Sequence, residues 1–402
     1  MTPLELPARA LVVGLARSGE AARAALEERG VEVVVADRKL GNDTDLSLLD
    51  GVDVLVKSPG VPGEAALPAG AHARGIPVWS EIELGFRLLP EHPILAVTGT
   101  KGKTTTSELL GHMLAAPVAG NVGRPLTDLA GQVEPGGLIV CEVSSFQLED
   151  VHEFAPAVAV LLNLERDHLD RHGSVAAYRA AKLRIFENQG PNDVAVVPRG
   201  FVDTGGAARR IEFHVEDELP AEPLIPGAHN RENAAAATAA ARAAGADEET
   251  IARGLRTFPG VPHRLEPVGE LAGVRYVNDS IATNTLAVRR ALTTFDTPLH
   301  LILGGRAKGE PFDELAAAVA AANVVTAYLI GEAAEALATA LGYAGVPFRL
   351  ATTLERAVAE ASSAARPGEI VLLSPACASY DQFRDFEQRG EEFRRLVENL
   401  ER

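Results

Sequence analysis

The segment that decides the class of fold reads Ile94-Leu95-Ala96-Val97-Thr98-Gly99-Thr100-Lys101-Gly102-Lys103-Thr104-Thr105. Its apolar half predicts a buried strand, and the residues from Lys103 onward predict the start of a helix. A glycine-rich turn between a strand and a helix directs backbone N–H groups at phosphate oxygens, and its lysine adds a mobile cation. The segment therefore predicts a nucleotide site, although Val97 stands where the full phosphate-loop pattern has its first glycine.

Outside this segment, short β-rich runs alternate with longer Ala-, Glu- and Arg-rich runs, which is typical of parallel α/β sheets. The predicted strands are 10–13, 31–36, 52–56, 76–79, 94–97, 138–140, 157–162, 194–197, 299–303, 324–330, 348–350 and 370–373, and the predicted helices include 18–30, 174–188, 233–244 and 248–255. Proline-rich stretches at 89–93 and 258–262 interrupt the alternation. We therefore expect a Rossmann-like N-terminal domain over 1–90, a central P-loop ATPase-like domain with a mainly parallel sheet over 91–260, and a Rossmann-like C-terminal domain over 261–402.

The composition limits the function classes. The 402 residues include 38 Lys and Arg and 55 Asp and Glu, so the formal charge is −17. This charge repels nucleic-acid backbones and anionic membranes, so we expect no nucleic-acid partner. Two cysteines, Cys141 and Cys377, exclude a disulfide framework and fit a reducing compartment. Residues 1–7 lack the basic start of a signal peptide, and no run reaches the roughly 20 apolar residues of a membrane span. We expect a cytoplasmic protein without membrane insertion.

The first βα turn, 14–19, resembles a dinucleotide-binding turn, and Asp37 follows the next predicted strand where a ribose-binding acid is expected. Ala16 replaces the middle glycine, and its Cβ obstructs close approach of a pyrophosphate to the backbone. Arg17 and Ser18 offer side-chain contacts to phosphate instead. The turn therefore favours a nucleotide-diphosphate substrate over a nicotinamide cofactor, and a purely structural turn is an equally good interpretation of this motif alone.

Further motifs carry a family resemblance. They are Gly120-Asn121-Val122-Gly123, Glu142 to Glu149, Leu162 to Asp170, Ala181 to Phe186, Gly227 to Asn233, Pro262 to Glu266, Asn278-Asp279-Ser280, Gly304-Gly305 with Lys308, and Ser374 to Phe383. Together with the phosphate-loop segment they closely resemble the Mur ligases of peptidoglycan synthesis, in the same order and across all three predicted domains. Within that family, the last two motifs resemble the D-glutamate-adding branch.

The resemblance implies an ATP-dependent amide-bond ligase of peptidoglycan precursor synthesis. In the implied reaction, ATP phosphorylates the carboxylate of UDP-N-acetylmuramoyl-L-alanine, D-glutamate attacks the acyl phosphate, and a tetrahedral intermediate expels phosphate. Negative charge builds up in both steps, so fixed cations and two Mg²⁺ ions are expected to stabilise it. We expect a monomer that binds ATP, UDP-N-acetylmuramoyl-L-alanine and D-glutamate.

The motifs and the resemblance together assign residues to each task. The predicted catalytic residues are Lys103, His168, Lys182 and Arg264. The predicted ATP-binding residues are Gly99, Thr100, Lys101, Gly102, Lys103, Thr104, Thr105, Asn230, Asn233, Arg264 and Asp279. The predicted UDP-substrate residues are Arg17, Ser18, Gly19, Asp37, Arg38, Asn121 and Ser144. The predicted D-glutamate residues are Thr283, Lys308, Ser379, Tyr380 and Phe386.

The predicted metal ligands are Thr104, Glu142, His168 and Lys182. The resemblance implies that Lys182 carries a carbamate, which converts a cation into an anion suited to ligating or orienting Mg²⁺. Without the resemblance, a single lysine in a predicted helix is more often a solvated surface residue.

The sequence departs from the family pattern at one position, and it is compatible with several other functions. Ile281 stands where D-glutamate-specific members of the family usually carry a lysine, so the anionic pocket is either weaker or supplied with another cation. A sister Mur ligase or a folylpolyglutamate-type ligase would use another amino acid. A non-catalytic ATP-dependent binding module would need the phosphate loop but not Glu142, His168 and Lys182 together. A nicotinamide oxidoreductase is disfavoured by Ala16 and by the phosphate loop.

Overall fold

The computed structural model describes residues 6–225 and 227–400. Contacts divide the chain into two compact units, Met1–Pro259 and Gly260–Arg402. The first unit holds two sheets and the second holds one. Among the described residues, no helix combines the length and the apolar character that a bilayer crossing requires.

Strands and helices alternate along nearly the whole chain. The strands are β1 (Arg9–Val13), β2 (Glu32–Ala36), β3 (Val54–Lys57), β4 (Val78–Ser80), β5 (Ile94–Thr98), β6 (Val118–Gly120), β7 (Ile139–Glu142), β8 (Val158–Leu161), β9 (Val194–Pro198), β10 (Arg209–Phe213), β11 (Glu266–Leu271), β12 (Val274–Asn278), β13 (Leu299–Gly304), β14 (Val324–Ile330), β15 (Phe348–Thr352) and β16 (Ile370–Ala376). The helices are α1 (Arg17–Glu27), α2 (Ala66–Ala73), α3 (Glu81–Leu88), α4 (Lys103–Leu114), α5 (Ser145–Leu148), α6 (Leu169–His172), α7 (Val175–Leu183), α8 (Ala228–Ala243), α9 (Glu248–Thr257), α10 (Thr285–Leu292), α11 (Asp313–Ala321), α12 (Ala334–Tyr343), α13 (Leu354–Ala364) and α14 (Phe386–Leu400).

The first sheet has the order β2-β1-β3-β4, with all neighbours parallel. Strand β1 is buried on both faces, since Val12 packs with Leu26 of α1 on one side and Leu11 packs with Leu67 of α2 on the other. Burial on both faces explains why this strand is continuously apolar in the sequence.

The second sheet has the order β10-β9-β8-β5-β7-β6, and all six strands are parallel. The chain proceeds from β5 to β6 and β7 on one side, and then to β8, β9 and β10 on the other. Ligands of parallel α/β sheets bind outside the carboxyl ends of the strands at such a reversal. The turn that follows β5 therefore lies at the position where a ligand is expected.

The third sheet fills the second unit, with the order β11-β12-β16-β13-β14-β15. Its pairings are parallel except for the edge strand β11, which is antiparallel to β12. Separate hydrophobic clusters cover its two faces, one containing Leu301 and Leu372 and the other containing Ile302 and Leu373. The predicted α/β class with parallel sheets is thus confirmed.

The elements differ from the prediction in several places. Strands β6, β10, β11 and β12 were not predicted, and the helix expected over 174–188 ends at Leu183, where a 3₁₀ turn, Arg184–Phe186, follows. The boundary between the units falls at Pro259, within the proline-rich stretch 258–262. Because contacts join the first two sheets in one unit, the division at residue 90 and the roles of the three domains stay predictions.

Candidate functional site

The phosphate loop, residues 99–105, connects β5 to α4. Gly102 has a φ of +84°, which glycine adopts without strain, and α4 begins at the next residue without a side-chain cap. The Lys103 Nζ donates to the carbonyl oxygens of Gly99 (2.9 Å) and Thr100 (3.1 Å). The loop thus combines a helix N-terminus with a lysine folded over its own backbone, an arrangement that attracts anions.

Two residues that the sequence analysis did not assign hold this loop in shape. Asn163, just beyond β8, accepts from Lys101 N (2.9 Å) and donates to Lys101 O (3.1 Å). The Tyr178 hydroxyl on α7 lies 2.9 Å from Thr100 Oγ1. The sequence contained a clue to both residues. Asn163 directly follows the predicted strand 157–162, and Tyr178 precedes Lys182 by one helical turn, on the same face of the predicted helix.

Lys182 lies inside the first unit, only 2% exposed. Its Nζ donates to Gly99 O (2.8 Å), the carbonyl that also accepts from Lys103, and it lies 5.0 Å from the centre of the Tyr178 ring. Burial, together with the charge of Lys103, lowers the pKa of Lys182 to about 7. The general expectation of a solvated helical lysine is therefore wrong for Lys182.

Glu142 closes β7 beside the phosphate loop, because its Cα pairs with that of Val97 on β5. The carboxylate is buried, and its Oε1 accepts from Asn121 Nδ2 at 2.9 Å. Thr104, also buried, lies in the first turn of α4. A hydroxyl and a carboxylate are hard oxygen ligands that suit Mg²⁺. The described residues nevertheless include no cluster of three or more His, Cys, Asp or Glu side chains arranged to hold a metal.

His168 precedes α6 with a φ of +49°, a left-handed conformation that costs a non-glycine residue of order 1 kcal/mol. Its ring is half-exposed, and the ring centroids of Phe146 and Tyr178 lie 4.9 Å and 6.4 Å from it. One turn later, His172 stacks on Phe146 and hydrogen-bonds Ser145 Oγ through Nε2 at 3.0 Å. The two histidines therefore share one aromatic support.

The predicted UDP-substrate residues fall into two groups that meet at one contact. The Arg17 Nη1 at the start of α1 donates to Gly123 O (2.8 Å), which joins the first turn to the loop that carries Asn121. The Asp37 carboxylate accepts from Leu15 N (2.7 Å) and Lys39 N (2.8 Å), and these bonds lower the pKa of Asp37.

The other predicted UDP-substrate residues differ in how deeply they are buried. Gly19 is buried where a Cβ would lie 1.8 Å from Gly14 O, so only glycine fits there. Ser18 is partly buried and Arg38 is exposed, both near the carboxyl end of the first sheet. Ser144 caps α5 in a capping box with Gln147, a structural role that the sequence alone also allowed.

The two predicted adenine-binding amides lie on α8. Asn233 is buried directly against the phosphate loop, since a Cβ on Gly102 would approach its Oδ1 to 2.3 Å. Asn230 lies about one turn earlier on the same helix. The first unit thus brings Asn233 to the loop, which Lys182 also contacts.

Arg264 and Asp279, the other predicted nucleotide residues, belong to the second unit. Arg264 is exposed and lies between His263 and Leu265, which both have left-handed backbones with φ of +61° and +45°. Asp279 is buried and accepts from Ser374 Oγ (2.7 Å) and Leu265 N (3.2 Å). Burial raises the pKa of Asp279 to about 6.

The predicted D-glutamate residues follow the carboxyl ends of β12, β13 and β16. Lys308 Nζ donates to Thr283 Oγ1 at 3.0 Å. Ser379 is buried within a turn, and the Tyr380 side chain is 64% exposed. Phe386 begins α14. Thr283 and Lys308 are therefore in direct contact, while Tyr380 faces solvent.

Comparison with known proteins follows the same division of the chain. Residues 97–202 match the Mur ligase middle domain, and residues 263–377 match the glutamate ligase domain of Mur ligases. The UDP-N-acetylmuramoylalanine–D-glutamate ligase of Shouchella clausii is 40% identical, covering 98% of this chain and 97% of the relative. The ligase of the same name from Salinibacter ruber is also 40% identical, covering all of both chains.

Solved structures of more distant ligases have the same fold. The UDP-N-acetylmuramate-alanine ligase of Thermotoga maritima aligns with a TM-score of 0.58 at 18% identity, covering 98% of this chain and 99% of that one. MurF from Acinetobacter baumannii aligns with a TM-score of 0.60 at 19% identity, covering 87% and 86%. With 40% identity to the first two relatives over nearly the whole chain, this protein belongs to the Mur ligase family, in the branch of the UDP-N-acetylmuramoylalanine–D-glutamate ligases.

Proposed function

We propose that this chain is the ATP-dependent ligase that joins D-glutamate to UDP-N-acetylmuramoyl-L-alanine during peptidoglycan precursor synthesis. The reaction proceeds through an acyl phosphate and a tetrahedral intermediate. The observation that carries the proposal is the 40% identity over both full lengths to ligases named for this reaction. The phosphate loop, which Lys103 and Lys182 both contact, supports the proposal independently. It has the backbone and the positive charge that a site of phosphoryl transfer requires.

ATP is the nucleotide that we assign to the phosphate loop. The N-terminus of α4 and the Lys103 ammonium provide positive charge for the β- and γ-phosphates. Asn230 and Asn233 of the first unit supply amide groups for the adenine edge. We further assign Arg264 to the γ-phosphate and Asp279 to the ribose. All these residues are chemically suited to their tasks.

Thr104 and Glu142 are the residues that we assign to Mg²⁺, with His168 and the Lys182 carbamate at a second Mg²⁺ position. The hydroxyl, carboxylate and carbamate oxygens are hard donors that suit this ion, and Asn121 orients the Glu142 carboxylate by a 2.9 Å hydrogen bond. When bound, Mg²⁺ would offset the negative charge that gathers on the phosphates and on the acyl group. Asn121 and Ser144, with Arg17, Ser18, Gly19, Asp37 and Arg38, bind the UDP-linked substrate in this proposal.

Lys182 is proposed to carry a carbamate, formed when its neutral Nζ adds to CO₂ and loses a proton. A pKa near 7 leaves much of the amine neutral at physiological pH, and the neighbouring Lys103 ammonium favours a negative product. Lys182→Ala should lose nearly all activity, and a short-chain carboxylate such as acetate should restore part of it. Activity that is unchanged in Lys182→Ala would refute this role. The matched control is Arg179→Ala, an exposed position on the same helix.

The assay that tests the proposed function measures phosphate release from ATP with UDP-N-acetylmuramoyl-L-alanine and a panel of D- and L-amino acids. Release that requires D-glutamate is the expected result. Release with another amino acid would assign a sister ligase, and no release would assign a binding module. We propose a cytoplasmic location for the reaction because both cysteines, Cys141 and Cys377, are free thiols, as is usual in a reducing compartment.

A further inference from the structure

Arg389 on α14 carries a buried guanidinium that none of the assignments above uses. It is only 1% exposed, and all its contacts are made below the surface of the second unit. Nε donates to Ser280 Oγ (2.9 Å), Nη2 to Ser280 O (2.9 Å) and Nη1 to Cys377 O (3.1 Å). A buried arginine is costly, so the fold retains it at the expense of stability.

The guanidinium lies where the four segments with the predicted D-glutamate residues meet. Ser280 precedes Thr283 by three residues, and Cys377 precedes Ser379 by two. A Cβ on Gly305, three residues before Lys308, would lie 3.2 Å from Arg389 Nη1. Phe386 lies on α14 itself, one turn before Arg389, and its carbonyl accepts from Ser280 Oγ (2.8 Å). The guanidinium therefore bonds the segments of Ser280 and Cys377 to its own helix and lies next to the segment of Gly305.

The hydrogen-bond partners of Arg389 are neutral. Two are carbonyl oxygens and one is a hydroxyl, and no ion pair of the described residues joins Arg389 to a carboxylate. Asp381 exerts an attraction on Arg389, but its Oδ2 accepts from Glu332 N at 3.0 Å. Burial lowers the pKa of Arg389 to about 10, so the group stays protonated at neutral pH, and burial raises the pKa of the Cys377 thiol to about 12, so that thiol stays neutral.

We propose that Arg389 is a positioning and specificity residue that fixes the D-glutamate pocket and makes its potential positive, with the anionic amino acid as its countercharge. This inference rests on the proposed function. It also answers the question raised by Ile281, because a cation beneath the pocket compensates for the lysine that this chain lacks. A buried charge paired only with neutral groups acts at longer range than a solvated one, since little water screens it.

The test compares steady-state kinetics of the full-length enzyme and its variants with D-glutamate and with D-glutamine, whose side chain is uncharged. Arg389→Met should raise KM for D-glutamate about tenfold or more, while KM for ATP and for the UDP substrate changes less than about threefold. The preference of kcat/KM for D-glutamate over D-glutamine should fall by about tenfold. Arg389→Lys, which keeps the charge, should keep most of that preference.

Arg394→Met is the matched control, because Arg394 lies on the same helix but pairs with Glu266 at 2.7 Å. It should leave all three KM values close to those of the wild type. Equal increases in all three KM values for Arg389→Met, or an unchanged D-glutamate preference, would overturn the proposal. Wild-type turnover with D-glutamate tests the proposed function separately.

Ser280→Ala tests the same idea if Arg389→Met does not fold. This variant removes one acceptor of the guanidinium and retains the charge. It should raise KM for D-glutamate about threefold and leave the preference over D-glutamine unchanged. A wild-type KM for D-glutamate in Ser280→Ala would contradict the positioning role.

Discussion

At the scale of single residues, the most informative contact is the Gly99 carbonyl, which accepts hydrogen bonds from both Lys103 and Lys182. Two ammonium groups at one carbonyl repel each other, and this repulsion contributes to the lowered pKa of Lys182. An anion bound at the loop relieves the repulsion, and so does conversion of Lys182 to a carbamate. The pair thus links phosphate binding to the chemical state of Lys182.

Asn163→Ala is expected to weaken ATP binding. The side chain makes two hydrogen bonds to the backbone of Lys101, each contributing about 1 kcal/mol. Without them the phosphate loop samples more conformations, so KM for ATP should rise about tenfold, with a smaller change in KM for the UDP substrate. Asn188→Ala is the control, because Asn188 also bonds backbone carbonyls in the first unit, at His152 and Phe154. An unchanged KM for ATP in Asn163→Ala would show that the loop does not need this brace.

The sequence predicted these residues unequally. The phosphate loop is a local motif, so its lysine and threonines were assigned directly. Lys182 depended on the family resemblance, because helical periodicity alone does not reveal that α7 packs its lysine against β5. Arg389 gave no local signal, since an arginine in an amphipathic helix usually faces solvent. Its burial depends on tertiary contacts, to Ser280, 109 residues earlier, and to Cys377, 12 residues earlier.

At the scale of elements, the turn from β5 to α4 determines whether the loop can hold phosphate. Gly102 has a left-handed backbone, which favours glycine. The position that a Cβ would take at Gly102 is also too close to Asn233 of α8 for any side chain. The same turn is contacted by residues that follow β8 and by α7. The site therefore depends on five elements of the first unit, β5, α4, α7, α8 and β8, which meet at one short loop.

Gly102→Ala should abolish ATP binding, because its Cβ would lie 2.3 Å from Asn233 Oδ1. The left-handed backbone adds a strain of about 1–2 kcal/mol. Gly30→Ala is the matched control, since Gly30 has a φ of +78° with open space around its Cβ position. Gly102→Ala should lose more stability than Gly30→Ala in urea denaturation because of the clash with Asn233, and only Gly102→Ala should lose ATP binding by calorimetry. Normal ATP affinity in Gly102→Ala would contradict the role given to this turn.

Glu81 predicts a pH dependence of stability at the start of α3. Its Oε1 accepts from Thr127 N (2.7 Å) and Oγ1 (2.9 Å), and burial raises the pKa of Glu81 to about 7. The folded state therefore keeps a proton that the unfolded state has lost, so this group's contribution to the free energy of unfolding falls as pH rises from about 4.5 to about 7.

Between pH 4.5 and pH 8, the free energy of unfolding of the wild type should fall by about 3 kcal/mol more than that of Glu81→Gln. Urea denaturation at each pH measures both. Glu20→Gln, on the exposed side of α1, is the control and should keep the wild-type pH dependence. Parallel pH profiles for wild type and Glu81→Gln would contradict the assignment.

Element prediction succeeded where burial on both faces made strands continuously apolar, as in β1, β5 and β13. It failed at strands that lack this pattern. Strand β6 has only three residues, and β10 is largely polar because it lies at a sheet edge. Strand β11 contains Pro267 and Gly269, which are tolerated because it is an antiparallel edge strand with an irregular register.

At the scale of the whole molecule, the second unit has its own core on both faces of its sheet. A fragment of residues 260–402 should therefore fold alone, with one cooperative transition in chemical denaturation and native-like circular dichroism. A fragment that binds hydrophobic dye and unfolds without a sharp transition would show that this unit depends on the rest of the chain.

The net charge of −17 predicts no nucleic-acid partner, yet the three proposed substrates are themselves anions. In the proposed function their recognition depends on local positive groups, namely Lys103, Lys308, Arg389 and the N-terminus of α4. The global charge of the protein is therefore a poor guide to the charge of its site.

The central claim is that the substrate carboxylate is phosphorylated before D-glutamate attacks. It is tested most directly with UDP-N-acetylmuramoyl-L-alanine labelled with ¹⁸O in that carboxylate, by mass spectrometry of the released phosphate and of the product. The account predicts one labelled oxygen in each phosphate released, together with one equivalent of the D-glutamyl amide. Unlabelled phosphate, or phosphate formed without the amide, would contradict it.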